Sequence, residues 1–169
     1  MRIFLIGFMG AGKTYLGQAL AHKLSFPFLD LDEYIEARTG RTIDYIFREV
    51  GEAAFREQEA VCLRETSRHS KIIVATGGGT PCFCDNMAWM NDHGITVLLN
   101  VDPALLANRL RSEKTKRPLL HHLPDEDLPA FIHAKIAERA VFYNQSHLQL
   151  DICSDGPAPA EVLASFLKR

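Results

Sequence analysis

A glycine-rich octapeptide, GFMGAGKT, spans Gly7 to Thr14 and matches the phosphate-loop pattern G-x-x-x-x-G-K-[ST]. Its glycines let successive backbone N–H groups turn inward, and the following helix adds the positive end of its dipole. In this pattern Lys13 reaches the outer phosphates of a nucleotide, and Thr14 offers its hydroxyl to Mg²⁺. The motif predicts a nucleoside triphosphate with Mg²⁺, and it fits a kinase, a motor ATPase or a switch equally well.

The carboxylate that many phosphate-loop proteins use for Mg²⁺ is missing from its usual strand. In KIIVATGGGT (71–80) the apolar run ends in Gly77, Gly78 and Gly79 instead of Asp. LDLD (29–32) offers carboxylates at the end of another predicted strand, and such strand ends meet at the ligand-binding edge of a parallel sheet. We expect Asp30 and Asp32 to serve the metal and the substrate. The alternative is that one of them only caps the next helix.

The three glycines themselves have two interpretations. They keep side chains out of a substrate pocket and offer N–H groups to bound oxygens, or they form a tight turn from strand to loop. A turn explains one glycine more easily than three.

Three arginines have the charge and the position to bind an anionic substrate or a transferring phosphate. Arg56 lies three residues before Glu59 on a predicted helix, and spacing alone favours a surface ion pair there. Arg117, in KRPLL, falls in a polar stretch, and Arg139 falls in the late helix AERAVFY. For each of these two residues the alternative is an ordinary solvated charge.

The elements that must position these groups alternate between strand and helix. Apolar runs predict five strands, near 3–7, 26–32, 72–75, 95–101 and 147–153. Helical periodicity predicts helices near 13–24, 31–38, 42–47, 51–68, 85–92, 103–111, 128–144 and 159–168. This order predicts an α/β fold, a parallel sheet with helices on both faces, in a single domain. Residues 112–124 break the periodicity and are interpreted as a mobile lid.

Composition excludes several classes of protein. The chain has 169 residues, a net charge of −2, and no long run of basic residues, which argues against a nucleic-acid partner. No stretch is apolar enough for a transmembrane helix, and the phosphate loop begins too early for a cleaved signal peptide. Four cysteines without metal-site spacing indicate reduced thiols. We therefore expect a cytoplasmic enzyme that is a monomer.

Size and motif content favour a small-molecule kinase among the phosphate-loop classes. The sequence has no NKxD-type guanine-reading motif, and a motor ATPase is usually larger, with a strand that ends in Asp-Glu. A polar lid-like stretch is typical of small kinases.

Taken together, these motifs resemble the shikimate kinase family from Gly7 to about Tyr143. GFMGAGKT is similar to the family's phosphate loop, LDLD to its paired aspartates and GEAAFREQE to its substrate helix. ATGGG, RPLL and R-x-x-x-Y follow in the family's order. The resemblance implies a P-loop three-layer α/β/α sandwich with a five-stranded parallel sheet. It also implies ATP-dependent phosphorylation of the 3-hydroxyl of shikimate, in the pathway to chorismate and the aromatic amino acids.

The resemblance also implies roles for individual residues. Asp30 and Thr14 would hold Mg²⁺, and Asp32 would bind the substrate hydroxyl and act as its base. The substrate would contact Asp32, Arg56, Gly78, Gly79 and Arg139, with Glu59 orienting Arg56 and with helices near 32–68 forming the site. The catalytic residues would be Lys13, Asp32 and Arg117. The nucleotide would contact Gly10, Ala11, Gly12, Lys13, Thr14, Tyr15, Arg109 and Arg117, with Arg111 an alternative to Arg109.

Two rival functions remain open at this point. A kinase of another small hydroxylated acid, such as gluconate, would also carry a phosphate loop on a short chain. A nucleotide-binding module without transfer activity would keep the loop, although the intact Lys13, Thr14, Asp30, Asp32 and Arg117 argue against it.

Overall fold

Five parallel strands form the single sheet of the computed structural model, which describes residues 1–112, 120, 123–152 and 158–167. The strand order is β2-β3-β1-β4-β5, so the chain starts in the middle of the sheet and extends it on both sides. The strands are β1 (Arg2–Ile6), β2 (Phe28–Asp30), β3 (Ile72–Ala75), β4 (Ile95–Val101) and β5 (Leu148–Ile152). All five predicted strands are confirmed.

Helices connect these strands on both faces, as the alternating pattern predicts. In the described residues they are α1 (Lys13–Leu24), α2 (Leu31–Thr39), α3 (Ile43–Glu49), α4 (Glu52–Glu65), α5 (Asn86–His93), α6 (Pro103–Arg111), α7 (Leu128–Tyr143) and α8 (Pro159–Leu167). The predicted helix 51–68 is α4 followed by a 3₁₀ turn, Thr66–Arg68. A second 3₁₀ turn, Thr80–Cys82, follows the three glycines.

The central strand β1 is buried on both faces and divides the core into two layers. Ile3 and Leu5 face the layer that contains α1, α6 and α8, whereas Phe4 and Ile6 face the layer that contains α2, α4 and α5. This alternation follows from the two-residue period of a strand, and it explains why β1 is apolar at every inward position.

The carboxyl ends of β1, β2 and β3 lie side by side. Asp30, the last residue of β2, pairs in register with Ala75, the last residue of β3, and Ala75 in turn pairs with Leu5 of β1. The phosphate loop, the LDLD segment and the glycine segment therefore leave the sheet at one edge, as parallel topology predicts.

Within the described ranges, no helix is both long and apolar enough to cross a lipid bilayer.

Candidate active site

The phosphate loop joins β1 to α1 and has the bent backbone that its glycines predict. Gly10 and Gly12 have φ of 77° and 94°, in the left-handed region where a side chain is strained. Lys13 is buried, and its Nζ donates to the carbonyls of Gly7 and Phe8, both at 2.8 Å. The ammonium group is thus folded back over the loop, in the position from which it reaches a bound phosphate.

Arg109 lies against the outside of this loop. Its Nη1 donates to the carbonyls of Gly10 (3.1 Å) and Ala11 (3.4 Å), whereas Arg111, within the described part of the chain, bonds to Asn108 on its own helix. Of the two arginines left open by the sequence, Arg109 is the one beside the phosphate loop. Tyr15, also predicted at the nucleotide, is 82% exposed on the first turn of α1.

Asp30 caps the next helix, as one of the two alternatives predicts, and it also lies beside the phosphate loop. Its Oδ1 caps α2 by accepting from the backbone N–H groups of Asp32 (3.1 Å) and Glu33 (3.4 Å). Its Oδ2 accepts a hydrogen bond of 2.7 Å from the Thr14 hydroxyl. The cap fixes the carboxylate while its second oxygen stays beside the phosphate loop.

The Thr14–Asp30 pair suits a hard cation such as Mg²⁺. A hydroxyl and a carboxylate are oxygen donors of the kind that Mg²⁺ takes in nucleotide sites, where phosphates and water complete its shell. In the described residues, no group of three or more His, Cys, Asp or Glu side chains forms a closed metal site. The donors present therefore fit a cation shared with a nucleotide rather than one held by protein alone.

Asp32 stands between two cavities. The first, of about 260 Å³, is lined by the phosphate loop together with Thr14, Tyr15, Asp30 and Asp32. The second, of about 450 Å³, lies among α2, α3, α4 and the glycine segment. Met9, Asp32, Gly77 and Gly78 line both cavities. Asp32 is thus the carboxylate that a group in either cavity would meet.

Arg56 is a buried cation of the second cavity, and the surface ion pair favoured by its spacing is wrong. Its side chain is only 10% exposed, and Glu59 is fully buried. Nη1 donates to Glu59 at 2.9 Å, while Nε and Nη2 donate to Glu52 at 3.2 and 3.0 Å. The spacing missed this burial because α4 is covered by α2, α3 and the glycine segment, which only the tertiary fold brings there.

The Arg56 guanidinium also lies near the rings of Phe55 (5.1 Å to the centroid) and Phe83 (4.4 Å). Thr80 donates to the other Glu59 oxygen at 2.6 Å. Carboxylates and rings together fix the Arg56 side chain before any ligand arrives, so it is pre-organised for a planar anion.

Arg139 reaches the same cavity from α7. Its residue is 8% exposed, and its guanidinium carbon lies 5.4 Å from the centroid of the Phe8 ring. Nη1 is buried and has no hydrogen-bond partner among the described residues. Because a buried charged donor without a partner is costly, Nη1 marks a place for an anion.

The three glycines make room for these charged side chains. A Cβ on Gly79 would lie 2.6 Å from Arg56 Nη2, and one on Gly78 would lie 3.2 Å from Arg139 Nη1. A Cβ on Gly77 would lie 3.0 Å from Glu59 Oε1 and 3.2 Å from Asp32 Oδ1. The segment does turn, with the Thr80 N–H donating to the Gly77 carbonyl at 3.2 Å, but none of the three glycines has a φ in the left-handed region. The close approach of side chains therefore favours glycine here more than the turn does.

Some residues at the site were missed by the sequence analysis. Glu52 and Phe83 contact Arg56, Thr80 donates to its partner Glu59, and Tyr143 contacts Gly78. The spacing of Glu52 and Arg56, four apart on one helix, was a visible signal. Arg117 lies outside the described residues, as does most of the predicted lid.

Cys82 lies near both site arginines. Burial raises the pKa of its thiol, while the positive charges of Arg139 and Arg56 act in the opposite direction. The raised pKa keeps Cys82 a neutral thiol rather than a reactive thiolate.

The site combines a parallel sheet, a phosphate loop after β1, a Thr–Asp pair beside the loop and an adjoining cationic cavity. These features define a P-loop kinase of a small anionic acceptor. The comparisons give the family. The family model for shikimate kinase matches residues 9–169, and the chain belongs to the shikimate kinase family.

Individual relatives agree with this assignment. A shikimate kinase from Bacteroides fragilis is 50% identical over 147 residues, which cover 87% of this chain and 82% of the relative. One from Bacteroides thetaiotaomicron is 51% identical over 146 residues, covering 86% of this chain and 83% of the relative.

Solved structures extend the agreement to the fold. The crystal structure of shikimate kinase from Bacteroides thetaiotaomicron has a TM-score of 0.93 at 44% identity, covering 100% of this chain and 99% of the other. Shikimate kinase from Acinetobacter baumannii in complex with shikimate has a TM-score of 0.85 at 33% identity, covering 99% and 90%. The expected fold class is confirmed.

Proposed function

We propose that this chain, an enzyme of the shikimate kinase family, transfers the γ-phosphoryl group of ATP to the 3-hydroxyl of shikimate. The main support for this proposal is the position of Asp32, which lies on the wall shared by the nucleotide cavity and the cationic cavity. A reaction between ligands in two adjoining cavities occurs at their common wall, and Asp32 supplies an acid–base group there.

The nucleotide half of the site holds the triphosphate. Backbone N–H groups of Gly10 and Gly12 and the ammonium of Lys13 would contact the phosphates, as in other phosphate loops. The Ala11 N–H donates to the Phe8 carbonyl at 3.2 Å, so its predicted phosphate contact would require that bond to break. Thr14 and Asp30, joined by their 2.7 Å hydrogen bond, would hold Mg²⁺. The ion, when bound, neutralises charge that develops on the phosphate oxygens.

The acceptor half holds the carboxylate of shikimate. Arg139 offers a buried guanidinium nitrogen without a partner among the described residues, and Arg56 offers a guanidinium already fixed by Glu52 and Glu59. Two guanidinium groups beside the adjacent glycines Gly78 and Gly79 suit one planar carboxylate. This clamp orients the ring so that one hydroxyl turns toward Asp32 and the phosphate loop.

In the transfer step the 3-hydroxyl oxygen forms a bond to the γ-phosphorus, and the bond from that phosphorus to the bridging oxygen of ADP breaks. The hydroxyl proton passes to the Asp32 carboxylate. Lys13 faces the charge that develops on the transferring group, and the resemblance assigns Arg117 a similar part in the predicted lid. A cytoplasmic location, a monomeric state and a single domain with a lid near 112–124 stay predictions from the sequence.

A substrate panel with coupled detection of ADP tests the assignment. We expect ATP-dependent ADP release with shikimate and none above background with gluconate, because gluconate lacks the ring that spans from the arginine clamp to Asp32. Preference for gluconate would establish the rival kinase. Binding of ATP without ADP release on any acceptor would establish a module without transfer activity.

Asp30→Asn tests the metal assignment. We expect it to raise the Mg²⁺ concentration needed for half-maximal rate by about tenfold, because outer-shell partners of a metal contribute 10- to 100-fold in affinity. The measurement is a Mg²⁺ titration of ADP release. Asp151→Asn, on exposed β5, is the control and should leave the titration unchanged. An unaltered Mg²⁺ requirement in Asp30→Asn would place the ion elsewhere.

A further inference from the structure

Tyr143, the last residue of α7, reaches across the molecule to the glycine segment. Its residue is 4% exposed, and its hydroxyl donates a 2.6 Å hydrogen bond to the carbonyl of Gly78, 65 residues away. Arg139 lies four residues earlier on the same helix, one turn away and on the same face. A single helix therefore presents to Gly78 both the guanidinium of Arg139 and the hydroxyl of Tyr143.

The hydroxyl of Tyr143, rather than its ring, makes the contact with Gly78. The Tyr143 ring packs in the core layer that includes Phe4, Ile6 and Leu98, where an unsubstituted ring would pack equally well. Burial raises the pKa of Tyr143 to about 12, while the nearby charge of Arg139 acts in the opposite direction. At neutral pH the phenol is therefore a neutral donor, and its proton is available for Gly78.

The carbonyl that Tyr143 holds belongs to a peptide at the centre of the site. Gly78 lines both cavities, and Arg139 Nη1 would lie 3.2 Å from a Cβ on it. In a planar trans peptide, the carbonyl of Gly78 and the N–H of Gly79 point in opposite directions. Fixing the carbonyl toward α7 therefore also fixes the direction of the Gly79 N–H on a segment that lines the acceptor cavity.

We propose that Tyr143 is a positioning residue for the acceptor, acting through the Gly78–Gly79 peptide and through Arg139. It holds the glycine segment at one fixed place against α7, so that the clamp for the substrate carboxylate is formed before binding. Pre-formed sites bind more tightly because less ordering occurs on binding. The inference rests on the proposed function, because the acceptor whose binding it controls is shikimate.

Tyr143→Phe tests this role, because it removes the hydroxyl and keeps the ring. We expect the KM for shikimate to rise about tenfold, because a buried carbonyl that loses its hydrogen-bond donor costs free energy of that order. Gly78 also lines the nucleotide cavity, but the KM for ATP and kcat should stay within about twofold, because the phosphate loop and the Thr14–Asp30 pair, the proposed contacts of the triphosphate and its metal, are unchanged. Equilibrium binding of shikimate alone, followed by calorimetry, should weaken by the same factor as KM.

Tyr34→Phe is the matched control. Its hydroxyl donates to Glu65 Oε2 at 2.8 Å, and neither residue lines the two cavities. The same chemical change is made there, and we expect the KM for shikimate to stay unchanged.

Three outcomes would overturn the proposal. An unchanged KM for shikimate in Tyr143→Phe removes the positioning role. Equal losses for ATP and shikimate, or failure of the variant to fold, assign the hydroxyl to general stability. In a Tyr143→Phe/Arg139→Ala double variant, full additivity would show that Tyr143 does not act through Arg139. Failure of the proposed function is distinct, because the wild-type chain itself would then neither bind nor phosphorylate shikimate.

Discussion

Asp32→Asn is expected to lower kcat by about 10²- to 10⁴-fold, the usual contribution of a positioned general base. The substitution keeps the size and shape of the side chain and removes the negative charge that accepts the hydroxyl proton. Asp32 lies on the wall common to the nucleotide and acceptor cavities, and it is the carboxylate among the four described residues that line both. The measurement is ADP release at saturating shikimate and ATP, together with the Kd for ATP.

The Kd for ATP should change little, because the phosphate loop and the Thr14–Asp30 pair remain. Asp92→Asn, which makes the same change at an exposed position of α5, is the control and should have wild-type kinetics. Near-normal turnover in Asp32→Asn would disprove the assignment. A rise in the KM for shikimate with an unchanged kcat would make Asp32 a residue that binds the hydroxyl without removing its proton.

Arg139→Ala is expected to raise the KM for shikimate by about 30-fold or more, because loss of one partner of a buried charge pair costs about 2–5 kcal/mol. The effect should fall mainly on binding, since Arg139 is proposed to hold the carboxylate and not the reacting hydroxyl. A methyl ester of shikimate gives the sharpest comparison. The wild type should strongly prefer the acid to the ester, and the variant should show little preference.

Arg139 is a cleaner test of the clamp than Arg56. Removing Arg56 would leave the fully buried Glu59 without its cation, which is expected to destabilise the fold itself. Arg139 Nη1 has no hydrogen-bond partner in the described part of the chain, so its removal leaves no such partner unpaired. Arg68→Ala, at an exposed side chain, controls for loss of positive charge. An unchanged KM for shikimate in Arg139→Ala would remove this residue from the clamp.

Much of the nucleotide half of the site is readable from local sequence. A phosphate loop is one continuous segment, so its glycines, Lys13 and Thr14 are positioned by the turn that they themselves form. The strand–helix order likewise predicts which edge of the sheet carries the site, because parallel strands end together. Asp30 and Asp32 follow from that edge, since Asp30 ends the strand next to β3 and Asp32 lies in the first turn of the helix that follows.

The acceptor half depends on contacts between distant segments. Arg56 comes from α4 and Arg139 from α7, and both meet at glycines that follow β3. Without the family resemblance, spacing favoured a surface ion pair for Arg56 and Glu59, because nothing local indicates that α4 is covered by α2, α3 and the glycine segment. For the same reason, the contact between Tyr143 and Gly78 is invisible in either segment alone.

By itself, the sequence determined that this protein has a parallel α/β sheet and a phosphate loop with carboxylates beside it, because each of these features is encoded within a few consecutive residues. Only the tertiary structure decided that three glycines stand where Arg56, Arg139, Glu59 and Asp32 converge. The physical reason is steric: the space beside each glycine is filled by charged groups from other segments, and only folding shows which groups those are.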